Sequence, residues 1–219
     1  MPSGGTRGQL GITQGHSNSV TDREILLQSG QKLSFDYLAI ATGLQQPLPA
    51  KMSSPHKDEA CADLRSLRMK IQQAIPCVGA TPNTKFLSSF IPSNFSKTTG
   101  RILVRQTLQL AGDAHLDTFA LGDVAETEGP KMGRTAMAQA ELVCENILAL
   151  IKGTKLRPYK PKAIDGMLKL TLGPEHSVIY VKDGKGADIM VPIKSSNLDL
   201  EVAQAWWYLN GDMKAEIVN

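Results

Sequence analysis

The sequence predicts an α/β domain followed by a small α+β part. Two apolar runs, at residues 37–41 and 118–121, are continuous rather than alternating, which is typical of strands covered on both faces of a sheet. A long stretch at residues 134–152 has the periodicity of an amphipathic helix. After a Pro- and Lys-rich link at residues 156–162, the pattern returns to short strands and a closing helix.

The first third of the chain predicts a hairpin and a helix. Residues 1–19 are rich in Gly, Ser, Gln and Asn, so we expect a poorly ordered N-terminus. Residues 20–27 and 32–41 predict two strands that turn at Gly30. Apolar residues then recur at spacings of three and four, which predicts a helix over residues 57–74. The residues in this repeat are Ala60, Leu64, Leu67 and Ile71.

The middle of the chain predicts short strands that lead to the long helix. Residues 100–104 and 107–110 are strand-like and precede the apolar run that ends at Asp123. Gly153 is placed to terminate the helix of residues 134–152. The apolar stripe of that helix consists of Ala136, Ala140, Val143, Ile147 and Leu150. Beyond the link, we expect paired strands at 167–172 and 177–181 and a helix at 198–209.

Composition excludes several classes of function. The net charge of +3 is weak and the basic residues are scattered, so a nucleic-acid partner is not expected. The three cysteines form no C-x-x-C pair and the four histidines are isolated, which argues against a dithiol centre, a disulfide framework or a metal site. No apolar run approaches the roughly 20 residues of a transmembrane helix. We expect a cytoplasmic protein; peripheral contact with a membrane, or association with mitochondria, stays open.

Two strand ends carry the residues that suggest chemistry. The run 118–123 ends on Gly122 and Asp123: a glycine lets the backbone approach a flat ligand, and open α/β sheets bind ligands at the carboxyl ends of strands. The run 35–43 ends on Thr42 and Gly43. Each run alone also fits ordinary core followed by a turn. A second Gly-Asp pair, at residues 112–113, lacks a long apolar strand before it and predicts a turn only.

In this order the motifs resemble those of the FAD-dependent pyridine nucleotide–disulfide oxidoreductases. Residues 33–43 are similar to the "ATG" segment of that superfamily, and residues 118–123 resemble its second flavin motif. Residues 78–84 resemble the crossover by which the chain returns from the nicotinamide domain. Residues 129–132 and 138–140 are similar to the loop and helix that cover the flavin's pyrimidine edge. The closest subgroup is the apoptosis-inducing-factor-like oxidoreductases, which include the ferroptosis-suppressor quinone reductases.

The resemblance implies a Rossmann-like flavin domain over residues 20–155 and a C-terminal α+β portion over 163–219. It further implies FAD as cofactor, NAD(P)H as co-substrate and a quinone-like small molecule as electron acceptor, with orientation and electrostatics supplied by the protein rather than a catalytic acid–base pair.

The resemblance to this superfamily also implies a role for each matching residue. Thr42 and Gly43 would lie against the cofactor, Gly122 would let its sugar chain approach, and Asp123 would accept a hydrogen bond from a ribityl hydroxyl. Lys131 and the backbone of Met132 would face the N1–C2 carbonyl edge, where reduced flavin carries negative charge. The alternatives from the residues themselves are a capping aspartate and a solvated lysine.

Two departures from the superfamily pattern matter. The early glycines, at positions 4, 5, 8, 11 and 15, do not fit the G-x-G-x-x-G spacing that holds the FAD pyrophosphate. A nicotinamide-binding unit of roughly 100 residues, a usual domain size, is missing near residues 74–76. We therefore expect weak FAD binding by this chain. A shortened gene product, a splice form and a non-catalytic remnant that binds a partner protein stay open as alternatives.

Overall fold

The structure is a computed structural model that describes residues 13, 15–46, 54, 56–71, 80–129, 131–172, 175–183 and 186–194. The chain divides into two compact units. The first comprises residues 1–127 and 136–159, and the second comprises residues 128–135 and 160–219.

The first unit begins with a three-stranded antiparallel meander. Its strands are β1 (Ser17–Val20), β2 (Glu24–Leu27) and β3 (Lys32–Ser34). Gly30 makes the predicted turn with a φ of 84°. The single strand predicted over 20–27 is wrong: Thr21 donates its backbone N–H and its hydroxyl to the Glu24 carbonyl, which closes a turn between β1 and β2. The start of β1 lies within the segment predicted to be poorly ordered.

The second predicted strand of this region is also divided. Residues 32–34 pair with β2, whereas β4 (Leu38–Ile40) leaves the meander for the core. The backbone between them is held by Arg23, whose carbonyl accepts from the Phe35 N–H and whose guanidinium donates to the Asp36 carbonyl. This anchoring redirects the chain, so one apolar stretch serves two sheets.

Four short strands and a helix continue the first unit. They are β5 (Leu44–Gln45), α1 (Lys57–Ile71), β6 (Thr81–Pro82), β7 (Ile102–Leu103) and β8 (Thr118–Ala120). The helix begins where the sequence predicts, and the rest of its predicted range lies outside the described residues. The strand predicted at 107–110 is wrong: two isolated bridges occur there, and buried Leu108 has a φ of 66°, which a strand does not allow.

The two parallel strand pairs form the centre of the first unit. Strand β4 pairs in parallel with β8, and β7 pairs in parallel with β9 (Ala125–Glu126). Phe119 and Ala120 are fully buried, which confirms for β8 the prediction of a strand covered on both faces. In β4 Ile40 is buried but Ala39 is exposed, so the same prediction is wrong for residues 37–41. The main core lies around these strands and consists of Val20, Ile40, Leu87, Phe90, Ile91, Ile102, Leu110, Ala120, Val124 and Ala125.

Helix α2 (Gly133–Ile151) matches the predicted long helix. Its apolar face closes a second core cluster made of Leu108, Phe119, Leu121, Leu142 and Val143. Gly153 ends it in the left-handed conformation, with a φ of 63°. The Gly153 and Thr154 N–H groups donate to Leu150 and Ala149, so carbonyls of the last turn are satisfied as in a Schellman motif.

The second unit contains an antiparallel sheet of three strands. They are β10 (Leu168–Thr171), β11 (His176–Lys182) and β12 (Asp188–Lys194), with β11 in the middle. The pairing of the first two was predicted, but β12 was not. Pro192 lies within β12 and weakens a strand prediction, yet an edge strand tolerates proline because one row of its N–H groups needs no partner. The helix predicted at 198–209 lies outside the described residues.

Candidate functional site

The two strand ends singled out in the sequence lie side by side. Strands β4 and β8 are parallel and in register, with Ile40 opposite Ala120. The Leu121 N–H donates to the Ile40 carbonyl at 3.1 Å, which extends the pairing past the strand end. Because parallel strands leave a sheet in the same direction, residues 42–43 and 122–123 meet at one carboxyl edge. Such edges are where open α/β sheets bind ligands.

Gly122 is tightly fitted between β8 and helix α2. It is buried and has a φ of 68°, in the left-handed region that favours glycine. A Cβ atom there would lie 3.2 Å from the Cβ of Ala136 in α2. The Gly122 N–H donates to Oε1 of Gln139, also in α2, at 2.7 Å. The turn therefore depends on the absence of a side chain at this position.

Asp123 follows at once and is half-buried. Its backbone carbonyl accepts a hydrogen bond from Nε of Arg101 at 3.0 Å, which holds the peptide. Within the described parts of the chain, its carboxylate forms no hydrogen bond and no ion pair. A carboxylate is an acceptor with two oxygens, so this side chain can accept hydrogen bonds from a polyhydroxylated ligand.

Thr42 is held by the segment that resembles the crossover. Its hydroxyl donates to the Asn83 carbonyl at 2.9 Å, and the Asn83 side-chain amide donates back to the Thr42 carbonyl at 3.0 Å. The Asn83 N–H also donates to the Gly43 carbonyl at 3.1 Å, beside the antiparallel pair formed by β5 and β6. The Thr42 hydroxyl is therefore engaged in holding the backbone.

Gly43 leaves the carboxyl edge open. Its φ is 65°, and a Cβ atom built there would have nothing within 4 Å. The edge thus has bare backbone at Gly43 and one carboxylate at 123, whereas the missing side chain of Gly122 makes room for Ala136 of α2. This combination offers a close approach for a flat or extended ligand together with an acceptor for its hydroxyl groups.

Sequence reasoning did not give roles to Gln139, Asn83 or Arg101, which fix the two strand ends. Gln139 had a usable signal, because it lies three residues after Ala136 and four before Val143, on the apolar stripe of α2. A polar residue at such a position is buried and must find a hydrogen-bond partner. Asn83 lies in the segment 78–84 that resembles the crossover, but nothing in the sequence showed that its side chain binds the Thr42 carbonyl. Arg101 had no signal, since its partner is a backbone carbonyl distant in sequence.

Lys131 and Met132 belong to the second unit and directly precede the first residue of α2. Both are half-buried. Their contact with a flavin edge stays a prediction.

The next two findings concern metal ions and membranes. Across the described ranges, no group of three or more His, Cys, Asp or Glu side chains is arranged to hold a metal ion. No helix in those same ranges is both long and apolar enough to cross a bilayer.

Relatives among characterised proteins agree with the resemblance carried by the motifs. The chain is 34% identical to Fe-regulated protein 8 of Mycosarcoma maydis over 137 residues, which are 59% of this chain and 31% of that protein. It is 29% identical to human ferroptosis suppressor protein 1 over 132 residues, 60% of this chain and 34% of that protein. It is 32% identical to an FAD-dependent oxidoreductase of Flammulina velutipes over 106 residues, 48% of this chain and 32% of that protein. The chain thus spans about a third of the length of these relatives.

A solved structure has a similar fold. The sulfide:quinone oxidoreductase of Aquifex aeolicus superposes with a TM-score of 0.64 at 12% identity, over 93% of this chain and 76% of that one. No protein-family model matches the sequence. The predicted fold class is confirmed, and so is the resemblance to FAD-dependent oxidoreductases of the ferroptosis-suppressor type.

Proposed function

Because the chain is a relative of the FAD-dependent oxidoreductases that include the ferroptosis suppressor proteins, we propose that it forms the flavin-binding edge of such an enzyme. The enzyme passes electrons from NAD(P)H through FAD to a quinone-like acceptor. The observation that supports this most is the parallel, in-register pairing of β4 with β8. It brings the "ATG" segment and the Gly-Asp segment to one edge.

The residues at this edge fit the sugar-like part of a flavin. The bare backbone at Gly43 allows a ribityl chain to lie close, and Asp123 accepts hydrogen bonds from its hydroxyls. A hydrogen bond to a charged group contributes about 1.5–3 kcal/mol. Micromolar affinity requires about 8 kcal/mol in total, so Asp123 supplies only part of the binding.

These contacts suggest separate roles for the cofactor and for the protein residues. FAD held by Gly43 and Asp123 would supply the redox chemistry that carries electrons from NAD(P)H to a quinone. The protein residues bind and orient. Arg101 and Gln139 hold the peptides of residues 122–123 in place, and Asn83 holds those of Thr42 and Gly43. Lys131 and Met132 would stabilise the negative charge of the reduced cofactor.

The first prediction tests flavin binding at Asp123. Replacement Asp123→Ala should weaken riboflavin binding by roughly 10- to 100-fold, since a hydrogen bond to a charged acceptor is lost. Fluorescence titration of the full chain measures this affinity. The matched control is Asp113→Ala, because Asp113 follows Gly112 in the same dipeptide but its side chain is 94% exposed and paired with Arg105. The control should bind like wild type. Equal weakening by both changes would reject the site.

Turnover separates the enzyme from the alternative function. NAD(P)H oxidation is followed with the full chain, added FAD and a soluble quinone. Turnover that depends on both FAD and quinone supports the proposal. A folded chain that binds no flavin and shows no turnover favours the alternative, a non-catalytic remnant that binds a partner protein.

A further inference from the structure

Gln139 links helix α2 to Gly122 and to Thr127, which lie on either side of Asp123 in the sequence. Its side chain is fully buried. Oε1 accepts the Gly122 N–H at 2.7 Å, and Nε2 donates to the Thr127 hydroxyl at 3.3 Å. One amide therefore holds the residue before Asp123 and a residue four positions after it.

The Gly122 N–H has a particular need for this partner. Leu121 is extended and its N–H donates to the Ile40 carbonyl in the strand pairing, so the next N–H, that of buried Gly122, faces the opposite side. A buried N–H without an acceptor is costly, and the peptide would rotate to reach water or another acceptor. Asp123 is the next residue, so such a rotation would move its carboxylate. Ligand affinity is sensitive to displacements of this kind, because a binding group must be held close to its productive geometry.

We propose that Gln139 is a positioning residue for flavin: it fixes the Gly122 peptide and thereby aims the Asp123 carboxylate at the ribityl hydroxyls. The inference rests on the proposed flavin-binding function. Gln139 acts through the turn and not by contact, because none of its side chain is exposed toward the edge.

Asn146 provides a matched control on the same helix. It is also a fully buried amide, and it donates to the Thr107 and Arg157 carbonyls at 3.0 and 2.9 Å and accepts the Arg157 N–H at 2.8 Å. It lies seven residues further along α2, about 10 Å away along the helix axis. Its replacement should loosen the fold as much as replacement of Gln139, but at a place remote from the turn.

The test compares Gln139→Met with Asn146→Leu in the full chain. Gln139→Met should weaken riboflavin binding by about tenfold or more, which is the effect of one buried hydrogen bond on an equilibrium constant. It should also speed hydrogen exchange of the Gly122 amide in the absence of flavin. Asn146→Leu should lower the Tm at least as far, yet keep the Kd for riboflavin within about twofold of wild type, because distant sites act independently.

A conservative variant guards against misfolding. Gln139→Glu keeps an oxygen at the acceptor position, and burial favours the neutral carboxyl group, which can also donate to Thr127. It should bind riboflavin more tightly than Gln139→Met and keep the Gly122 amide protected. If Gln139→Met does not fold, Gln139→Glu replaces it: a Kd close to wild type supports the inference, and a Kd as weak as that expected for Gln139→Met rejects it.

The remaining outcomes are distinguishable. Wild-type affinity in Gln139→Met overturns the inference and leaves the proposed function intact. An equal loss of affinity in Asn146→Leu also overturns it, since general loosening would then explain the effect. A wild-type chain that binds neither riboflavin nor FAD rejects the proposed function, and the inference is rejected with it.

Discussion

A methyl group at Gly122 meets two separate obstacles. The φ of 68° disfavours any residue with a Cβ atom, at a cost of roughly 1–2 kcal/mol. The added Cβ would also lie 3.2 Å from Ala136, and crowding of a packed site typically costs a further 1–3 kcal/mol or so. We therefore predict that Gly122→Ala lowers the free energy of unfolding by about 2–5 kcal/mol.

A second variant, Gly112→Ala, separates the conformational cost of a positive φ from the cost of crowding. The φ of Gly112 is 84°, but nothing lies within 4 Å of a Cβ atom built there. Gly112→Ala should therefore lose only the conformational term, roughly 1–2 kcal/mol. Urea unfolding of both variants measures the difference. Equal losses would mean that α2 shifts away from the turn without cost, contrary to its packing against Gly122.

The two Gly-Asp pairs show what residue identity alone can predict. Residues 112–113 and 122–123 share the same dipeptide, and in both the glycine has a positive φ. The apolar run before Gly122 predicted a buried strand, which β8 confirms, and only a turn was predicted at residues 112–113. The sequence could not show that Gln139 and Arg101 hold the second pair, because Gln139 lies in a helix and Arg101 directly before β7, both distant from the pair in the sequence.

At the scale of elements, long apolar periodicity was more informative than short strands. Helix α2 and the buried strand β8 were predicted nearly to the residue, since each has a strong pattern. The stretch 32–41 was misjudged as one strand because both halves are strand-like, and only the pairing partners divide it between β2 and β8. Strand β12 was missed because Pro192 is compatible with a strand only at an edge, and edges are known only after the sheet has formed.

The sheet of the second unit carries a titratable contact that can be measured. The Tyr180 hydroxyl donates to Oδ1 of Asp188 at 2.8 Å, between β11 and β12. This hydrogen bond, with smaller contributions from desolvation and from the Asp188 charge, raises the pKa of Tyr180 above its ordinary value of about 10. Asp188→Asn should lower that pKa, as measured by ultraviolet absorbance during an alkaline titration.

The sign of the stability effect follows from the raised pKa. The folded state favours the neutral phenol, so the contribution of this contact is fully present below the ordinary tyrosine pKa. It is lost as the pH rises through the folded-state pKa. Lys182→Met is the control, since Lys182 lies 3.9 Å from the same Asp188 oxygen but takes no part in the hydrogen bond. A pKa of Tyr180 that is unchanged in Asp188→Asn would contradict the assignment.

At the scale of the whole molecule, the proposed flavin site and the phosphate-binding motif are not equally represented. The proposed flavin edge is assembled from β4, β8 and the segment around Asn83. The sequence has no G-x-G-x-x-G motif to place a pyrophosphate at the N-terminus of a helix. We predict that this chain binds FAD no more than about threefold more tightly than riboflavin, because without such a motif the FAD phosphates add little to the binding free energy.

Parallel titrations with riboflavin and FAD measure that ratio. If FAD binds far more tightly, the chain has a phosphate-binding site other than a G-x-G-x-x-G motif. If both bind weakly and equally, addition of the nucleotide-binding segments of a longer relative should raise affinity for FAD selectively. Purified protein that carries stoichiometric bound FAD would contradict the prediction directly.

The sequence by itself determined the fold class, the long helix and the two strand ends with their glycines and carboxylate. These depend on local patterns of apolar residues and on backbone conformations that glycine allows. Both can be recognised from residues that are neighbours in the sequence. Only the tertiary structure decided that β4 leaves the meander to pair with β8, and that Gln139, Asn83 and Arg101 hold the resulting edge. The pairing of β4 with β8 joins residues 80 positions apart and the Thr42–Asn83 contacts join residues 41 apart, and their free energy exists only once the chain has folded around them.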